Sequence, residues 1–505
     1  MAVRVGVSST GRLGRGSRLP GPDSVWWLVG AGILFVLACL VFVPPRVGLS
    51  WDETVYVSQV SRHAPAAWFD AARARGVPLL VAPLAWLTSS VVALRVYLTV
   101  LSGLGLVLAL LVWRRVPGLA RDGRPSWVLA VGAVTFGGLW VTQYYGPQAM
   151  PDIWSALGSL AAVGFFLRCS SGFSASGSAS SSAALLGVGG SVAFVALIRP
   201  GDALYLAVPL VFFGLLWRRF ACVLAVAGGL VGGGLEWVVE AMIRFGGVFA
   251  RLHAAGAEQN GFGLHFAVPD ELKALNGPTL CRPCTIGYRQ PELDLWWLVL
   301  PVLVLVGVVV VARAAWLLEA TSGSKWRAAT YAALPAVCGF LLAAQYLFMI
   351  NYSAPRFLLP AYAVLAIPVA DAIGWLCTGV RSDVRPAVVP VVVVLLFIQV
   401  VAQHFVLDHE AGGTEAFHRD YDVVAARLAS LGVRPPCTVN GVQYIPIAFV
   451  AGCASAPSVG SPPFPAVGAR FYLGADGSPP PRYARHWHAY RITGTQVLHV
   501  TAYLP

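Results

Sequence analysis

Lysine is almost missing from this chain of 505 residues: Lys273 and Lys325 are the only two. Acidic residues number 23, and charges of both signs together reach only 11%. A soluble domain carries about 25% charge to cover its surface, so an exterior this poor in charge cannot face water throughout. With 57% apolar residues, disorder, collagen-like repeats and coiled coil are excluded as well. Three signatures are also missing. Without a P-loop, a Gly-x-Gly-x-x-Gly after a strand or a Gly-x-Ser-x-Gly, ATPase, dinucleotide and hydrolase readings have no support. The net charge of +12 comes almost wholly from arginine. Those arginines cluster in short loops between apolar runs, which fits membrane topology and not a nucleic-acid partner.

What the chain does have is long apolar runs. A helix needs about 20 apolar residues to cross the hydrocarbon of a bilayer. By that criterion there are about eleven candidate spans, near 25–43, 88–113, 127–145, 153–168, 183–198, 203–217, 220–238, 295–316, 328–350, 357–377 and 386–406. The expected fold is an all-α polytopic membrane protein. With the N-terminus cytoplasmic, every inside segment is positive. These are the tail (Arg4, Arg12, Arg15, Arg18), Arg114, Arg115, Arg121 and Arg124, Arg168, Arg218 and Arg219, Arg313, Lys325 and Arg327, and Arg381 and Arg385. The first span reads as an uncleaved anchor in the cytoplasmic membrane. An odd number of spans puts the C-terminus outside.

Three outside segments are long enough for chemistry: 44–87, 239–294 and the tail. Two domains are expected, a membrane module over 1–407 and a small α+β domain over 408–505. The domain has alternating stretches at Thr438–Val442 and Tyr490–His499 and a helical pattern at Glu415–Leu431. The run 170–184, rich in Ser, Gly and Ala, reads as a flexible inside linker. Of nine cysteines, only Cys281, Cys284, Cys437 and Cys453 fall outside, an even number in an oxidising compartment. Cys437 and Cys453 can staple the tail. Cys281 and Cys284 form a Cys-x-x-Cys open to a disulfide, half a metal site or free thiols. The other five read as small apolar core residues.

Among so few acids, Trp51-Asp52-Glu53-Thr54-Val55-Tyr56, just beyond the first span, stands out. Asp52 and Glu53 are either solvated loop carboxylates or hold a general base at the lipid–water boundary, where desolvation raises a carboxylate pKa toward the working range. Residues 54–75 look amphipathic, as for a helix lying in the interface, before Gly76-Val77-Pro78-Leu79-Leu80 returns to the membrane. A second short outside loop, 146–152, lacks Lys and Arg and ends in Pro151-Asp152.

This succession resembles the GT-C membrane glycosyltransferases, the group with protein O-mannosyltransferases and aminoarabinose transferases of lipid A. The order is a first span, an outside Asp-Glu followed by an aromatic, an interfacial segment, a Pro-Leu-Leu return, an outside Pro-Asp, a Ser/Gly-rich inside linker and Arg199-Pro200. Asn351-Tyr352-Ser353-Ala354-Pro355-Arg356-Phe357-Leu358-Leu359-Pro360 is similar to the group's late Arg-aromatic-x-x-Pro element. The resemblance spans about the first 400 residues. Two departures stand in it: Gly-Val-Pro where the group has His-Pro-Pro, and Asp152 where Glu is common.

The resemblance implies an inverting transfer of a sugar, hexosyl or pentosyl, from a polyprenyl-phosphate donor to a glycan, lipid or protein acceptor at the outer face of the membrane. It implies Asp52 as base, with Glu53 and Asp152 orienting the acceptor, tuning the base or holding Mg²⁺ or Mn²⁺; Asp52 and Asp152 are the candidate metal ligands. Arg356 and Arg199, where spans end outside, are candidate donor-phosphate ligands, since guanidinium binds two oxygens and stays charged. Snorkelling to headgroups is their plain alternative. His265, Arg251 and Arg282 in the second long loop, with Tyr56, are candidate lid or substrate contacts. Trp296 and Trp297 suit an interface belt or a sugar platform, and Tyr483–Tyr490 a packed hairpin or a stacking surface. Two other classes stay open: a silent scaffold of an envelope complex, and a flippase for a lipid-linked saccharide. Midplane charges and internal repeats would favour the latter.

Overall fold

The computed structural model describes residues 21, 23–118, 123–170, 178–261, 263–318, 322–456 and 468–505. The N-terminal arginines and Arg121 lie outside the described residues. Helices dominate: α1 (Trp26–Phe42), α2 (Trp51–Ser58), α3 (Gly76–Ala85), α4 (Val91–Trp113), α5 (Ser126–Gly137), α6 (Trp140–Tyr145), α7 (Pro151–Ser170), α8 (Ser178–Ile198) and α9 (Pro200–Leu216). They continue with α10 (Phe220–Arg244), α11 (Val248–Glu258), α12 (Val268–Ala274), α13 (Leu295–Leu318), α14 (Ser322–Met349), α15 (Leu359–Thr378), α16 (Arg385–Ser430) and α17 (Tyr444–Ala451). Among the described residues, seven helices are long and apolar enough to cross a membrane: α4, α7, α10, α13, α14, α15 and α16. The apolar helices α1, α3, α5 and α9, and α8 taken over Ser182–Ile198, are shorter. Burial sorts the seven. α15 is central, with 94% of its most apolar window buried, whereas the corresponding window of α16 is 6% buried and faces outward.

Local chemistry sets the breaks. Pro200 opens α9, and Arg199 before it is extended, as a residue preceding proline prefers. The apolar stretch 127–145 is split between α5 and α6 at Gly138-Leu139, where Gln403 of α16 accepts the Trp140 N–H at 2.9 Å. Arg124 is no loop charge: it is buried against Asp371 at 2.8 Å.

Several expectations change. The interfacial helix over 54–75 does not form; α2 stops at Ser58 and 59–75 is irregular. Pro65 resists helix, and Ser58 and Gln59 fold the chain back by bonding the Ala67 N–H and C=O at 3.0 and 2.8 Å. The Ser/Gly run is not all linker, because 178–184 opens α8; residues 171–177 lie outside the described ones. The pattern at 415–431 belongs to α16, one helix of 46 residues that runs through positions 407 and 408 without a break.

Beyond α16 lies a mixed sheet of β1 (Cys437–Gly441), β2 (Ala454–Ser455), β3 (Ala469–Ala475), β4 (His488–Arg491) and β5 (Val500–Leu504), in the order β2-β1-β3-β5-β4. β1 is parallel to β2 and β3, and β5 is antiparallel to β3 and β4. One face buries Val439, Phe471, Leu473, Val500 and Ala502 against Tyr421, Val424 and Leu428 of α16 and Ile447 of α17. The alternating stretch 490–499 is not one strand. Gly494 turns with positive φ, and Asp420 captures the N–H groups of Gln496, Val497 and Leu498 at 2.7–2.8 Å.

Cys437 is bonded to Cys453 and Cys281 to Cys284. Cys169 and Cys222, read from sequence as apolar fillers, are also bonded, because the last turn of α7 meets the first turn of α10.

Candidate active site

The site begins with how α2 is seated. Ser50 caps it, its hydroxyl taking the Glu53 N–H while the Glu53 carboxylate takes the Ser50 N–H at 3.0 Å. The Glu53 side chain is buried, and Arg95 of α4 grips both of its oxygens, Nη2 lying 2.9 Å from Oε2. Ala149 adds its N–H at 2.8 Å. Arg95 also binds the carbonyls of Val47, Gly48 and Pro147, at 3.2, 2.7 and 3.1 Å. Glu53 therefore ties α2 to α4 and to the loop before α7, and its oxygens are fully engaged.

Consecutive helix residues diverge by about 100°, so Asp52 faces elsewhere. Its Oδ1 meets Arg73 Nη2 at 2.8 Å and its Oδ2 meets Arg356 Nη2 at 3.1 Å. Arg73 also holds Asp70 at 2.5 Å and lies over the Tyr56 ring. On the far side Arg356 Nε is 3.7 Å from Oδ2 of Asp152, and Arg199 Nη2 holds Oδ1 of Asp152 at 2.8 Å. Arg199 continues to Asp202 at 3.8 Å, whose oxygens accept from Ser155 and Tyr346 at 2.6 and 2.5 Å. Phe357 lies between the two arginines, each 5.3 Å from its ring centroid, and stacks on Tyr346. The result is a chain of alternating charge from Asp70 through Arg73, Asp52, Arg356, Asp152 and Arg199 to Asp202. Access differs along it: the Asp52 side chain is 30% exposed and that of Asp152 is 0%. Arg356 Nε and Asp152 Oδ2 are both buried without a hydrogen-bond partner.

Burial pushes the Asp52 carboxyl up, but Arg73, Arg356 and Arg199 outweigh it and hold the group below the usual carboxylate range. The expected upward shift is thus reversed. Glu53 is likewise held low, because Arg95 outweighs its burial. Burial raises Tyr56, which stays a protonated phenol.

Of the residues singled out in the sequence, the fold brings Asp52, Asp152, Arg199, Arg356 and Tyr56 together. Arg251 stands behind the site, where it holds the 70–73 loop through the carbonyls of Ala71 and Arg73 at 3.1 and 2.8 Å and pairs with Glu240. Glu258 accepts from Ala71 and Ala72 N–H on the same loop. His265 is fixed by its N–H to Phe348 C=O at the end of α14, and Arg282 is spent on the Glu258 carbonyl and Asn260. The sequence reading missed Arg73, Tyr346 and Phe357 as site residues. For Arg73 the signal was present: it is one of four arginines, with Arg46, Arg62 and Arg75, in the segment 44–87 that carries the acid pair.

The carboxylates do not fit a resident Mg²⁺ or Mn²⁺. Both Asp52 oxygens are bound by guanidinium, Asp152 lies between Arg356 and Arg199, and a dication would sit among three fixed positive charges. Among the described residues no three His, Cys, Asp or Glu side chains gather to hold a metal.

No protein-family profile and no curated protein matches the sequence. Solved structures do match. The chain is similar to ArnT from Cupriavidus metallidurans bound to undecaprenyl phosphate, with a TM-score of 0.62, 13% identity and cover of 95% of this chain and 98% of that one. The apo form of the same protein matches with a TM-score of 0.55 and 11% identity, covering 95% and 97%. The oligosaccharyltransferase AglB from Archaeoglobus fulgidus, in complex with an inhibitory peptide and a dolichol-phosphate, matches with a TM-score of 0.50 and 11% identity over 85% of this chain and 64% of that one. The fold is GT-C, that of membrane glycosyltransferases, and the chain is a multi-pass membrane protein.

Proposed function

We propose that this protein is an inverting glycosyltransferase that moves a sugar from a polyprenyl-phosphate donor to a cell-envelope glycan, lipid or protein. In this reading the eleven apolar stretches all cross the cytoplasmic membrane, with residues 408–505 outside. The observation that carries it is Asp52: a partly exposed carboxylate clasped by Arg73 and Arg356, with Arg199 one acid further on. The neighbours that hold undecaprenyl phosphate or dolichol-phosphate support a lipid phosphate as the ligand.

The reaction follows from the charges. A donor phosphate competes with the carboxylates for Arg356 and Arg199, and the buried Nε of Arg356, which has no hydrogen-bond partner, is one vacant donor. As Arg356 turns to the phosphate, Asp52 loses one of the cations that hold its pKa down and becomes a stronger base. It takes the acceptor hydroxyl's proton as that oxygen attacks the anomeric carbon. The carbon–oxygen bond to phosphate breaks, and the polyprenyl phosphate leaves as an anion on Arg356 and Arg199. Arg73 stays on Asp52 and keeps it aimed.

Asp52→Asn keeps the shape and removes the proton acceptor. Transfer of labelled mannose or arabinose from the polyprenyl phosphate in membrane vesicles should fall by about 10²–10⁴-fold, with unchanged membrane insertion. Normal turnover in that variant refutes the assignment.

A further inference from the structure

The sheet of the C-terminal domain has two unlike faces. One is the aliphatic core packed on α16 and α17. On the other, Asn440 of β1, Tyr472 of β3 and Tyr503 of β5 stand in one row, because Asn440 pairs with Tyr472 and Tyr472 with Tyr503, and directly paired residues share a face. Tyr483 and Trp487, from the segment before β4, join them. Ring centroids are 6.2 Å apart for Tyr472–Tyr483, 5.9 Å for Tyr472–Tyr503 and 5.6 Å for Tyr483–Trp487. All four rings are only half-buried. Within this patch Asn440 is 7% exposed and gives its amide N–H to the Tyr483 hydroxyl at 2.7 Å, yet its Oδ1 has no partner. Turning the amide over only moves the vacancy to the nitrogen. A buried amide left half-used costs stability. Arg470, two residues before Tyr472 on β3 and so on the same face of the sheet, is exposed, and Arg482 and Arg485 flank the Tyr483 ring in the chain, also exposed.

We propose that this face binds a saccharide carrying a carboxylate or phosphate group. Sugar C–H faces pack on the half-exposed rings, a sugar hydroxyl completes Asn440, and Arg470 takes the acidic group. The site needs no part of the transfer chemistry; calling its ligand the acceptor glycan rests on the function proposed above.

The test uses the full-length protein in detergent, titrated calorimetrically with hexagalacturonate and with the neutral maltohexaose. The acidic hexamer should bind at least tenfold more tightly than the neutral one. Tyr483→Phe, which removes one hydroxyl, and Trp487→Ala should each weaken binding of the acid at least several-fold, and Arg470→Ala should erase the preference for it. Asp52→Asn should bind as tightly as the parent while its transfer falls as given above, so the two ideas fail separately. Equal affinity in Tyr483→Phe and Trp487→Ala, or no binding of either hexamer at millimolar concentration, overturns the site. Binding only to anionic-lipid vesicles, unaffected by Tyr483→Phe, would assign the patch to the membrane surface and overturn it too.

Discussion

Most buried carboxylates among the described residues meet a guanidinium: Glu53 meets Arg95, Asp152 meets Arg199, Asp371 meets Arg124, and Glu240 meets Arg75, Arg244 and Arg251. Removing one partner of such a pair strands the other, at about 3–5 kcal/mol. Glu53→Gln should therefore lower the thermal midpoint in detergent sharply. The kcat of its surviving folded fraction should fall far less than that of Asp52→Asn, which separates a seating role from catalysis. Glu271 has no such cation. Its carboxyl is buried with a bond from Ser353, and burial, only partly offset by that bond, pushes its pKa from 4.5 to about 7. The folded state then holds its proton to higher pH than the unfolded state does. Its stability contribution is whole below about pH 4.5 and is lost as pH rises through about 7, by on the order of 3 kcal/mol. Thermal midpoints between pH 5 and 8 should thus fall more steeply for the parent than for Glu271→Gln, which keeps the bond to Ser353; parallel slopes would reject this. Asp52 was legible in the sequence because an acid just past a span is rare in so apolar a chain. Its pairing with Arg73 was not, since the irregular chain beyond Ser58 brings Arg73 back from 21 positions away.

Among helices, the apolar runs were legible because twenty or so apolar residues have few alternatives, and each of them contains helix. Amphipathic spacing misled at 54–75, where the polar residues serve ion pairs and not a solvated face: Arg73 with Asp52, and Arg75 with Glu240. Nothing in local sequence marks how closely two helices approach. The α8–α10 seam shows it. A β-carbon on Gly233 would collide with the backbone of Ala193, whereas one on Gly232, a residue earlier in the same helix, would meet open space. Backbone cannot rotate aside as a side chain can, so Gly233→Val should cost about 3 kcal/mol or part the two helices. Gly232→Val should change the thermal midpoint little. Equal effects of the two variants would mean that the seam is looser than described.

At the scale of the molecule, α2 is held from two sides. From the membrane side Arg95 locks Glu53. From the other side α17 packs on it, with Tyr444 edge-on to Trp51 at 5.0 Å, while Phe449 meets His63 in the loop beyond α2 at 5.4 Å. α16 completes the hold, since His418 bonds the Gly48 carbonyl at 2.8 Å and Glu415 pairs with Arg46 at 2.7 Å. The residue next to Trp51 is Asp52, so the C-terminal sheet and helices bear directly on the helix that presents the proposed base. A base displaced by about 1 Å can lose about 10²-fold in rate, while a donor bound mainly through Arg356 and Arg199 would hardly notice. Tyr444→Ala removes the ring that meets Trp51 and leaves the Cys437–Cys453 bond in place. Its kcat for sugar transfer should drop about tenfold or more, with the donor KM near that of the parent and normal membrane insertion. Should kcat hold and KM rise instead, the C-terminal region would act on donor capture, and its grip on α2 would have no part in aiming Asp52.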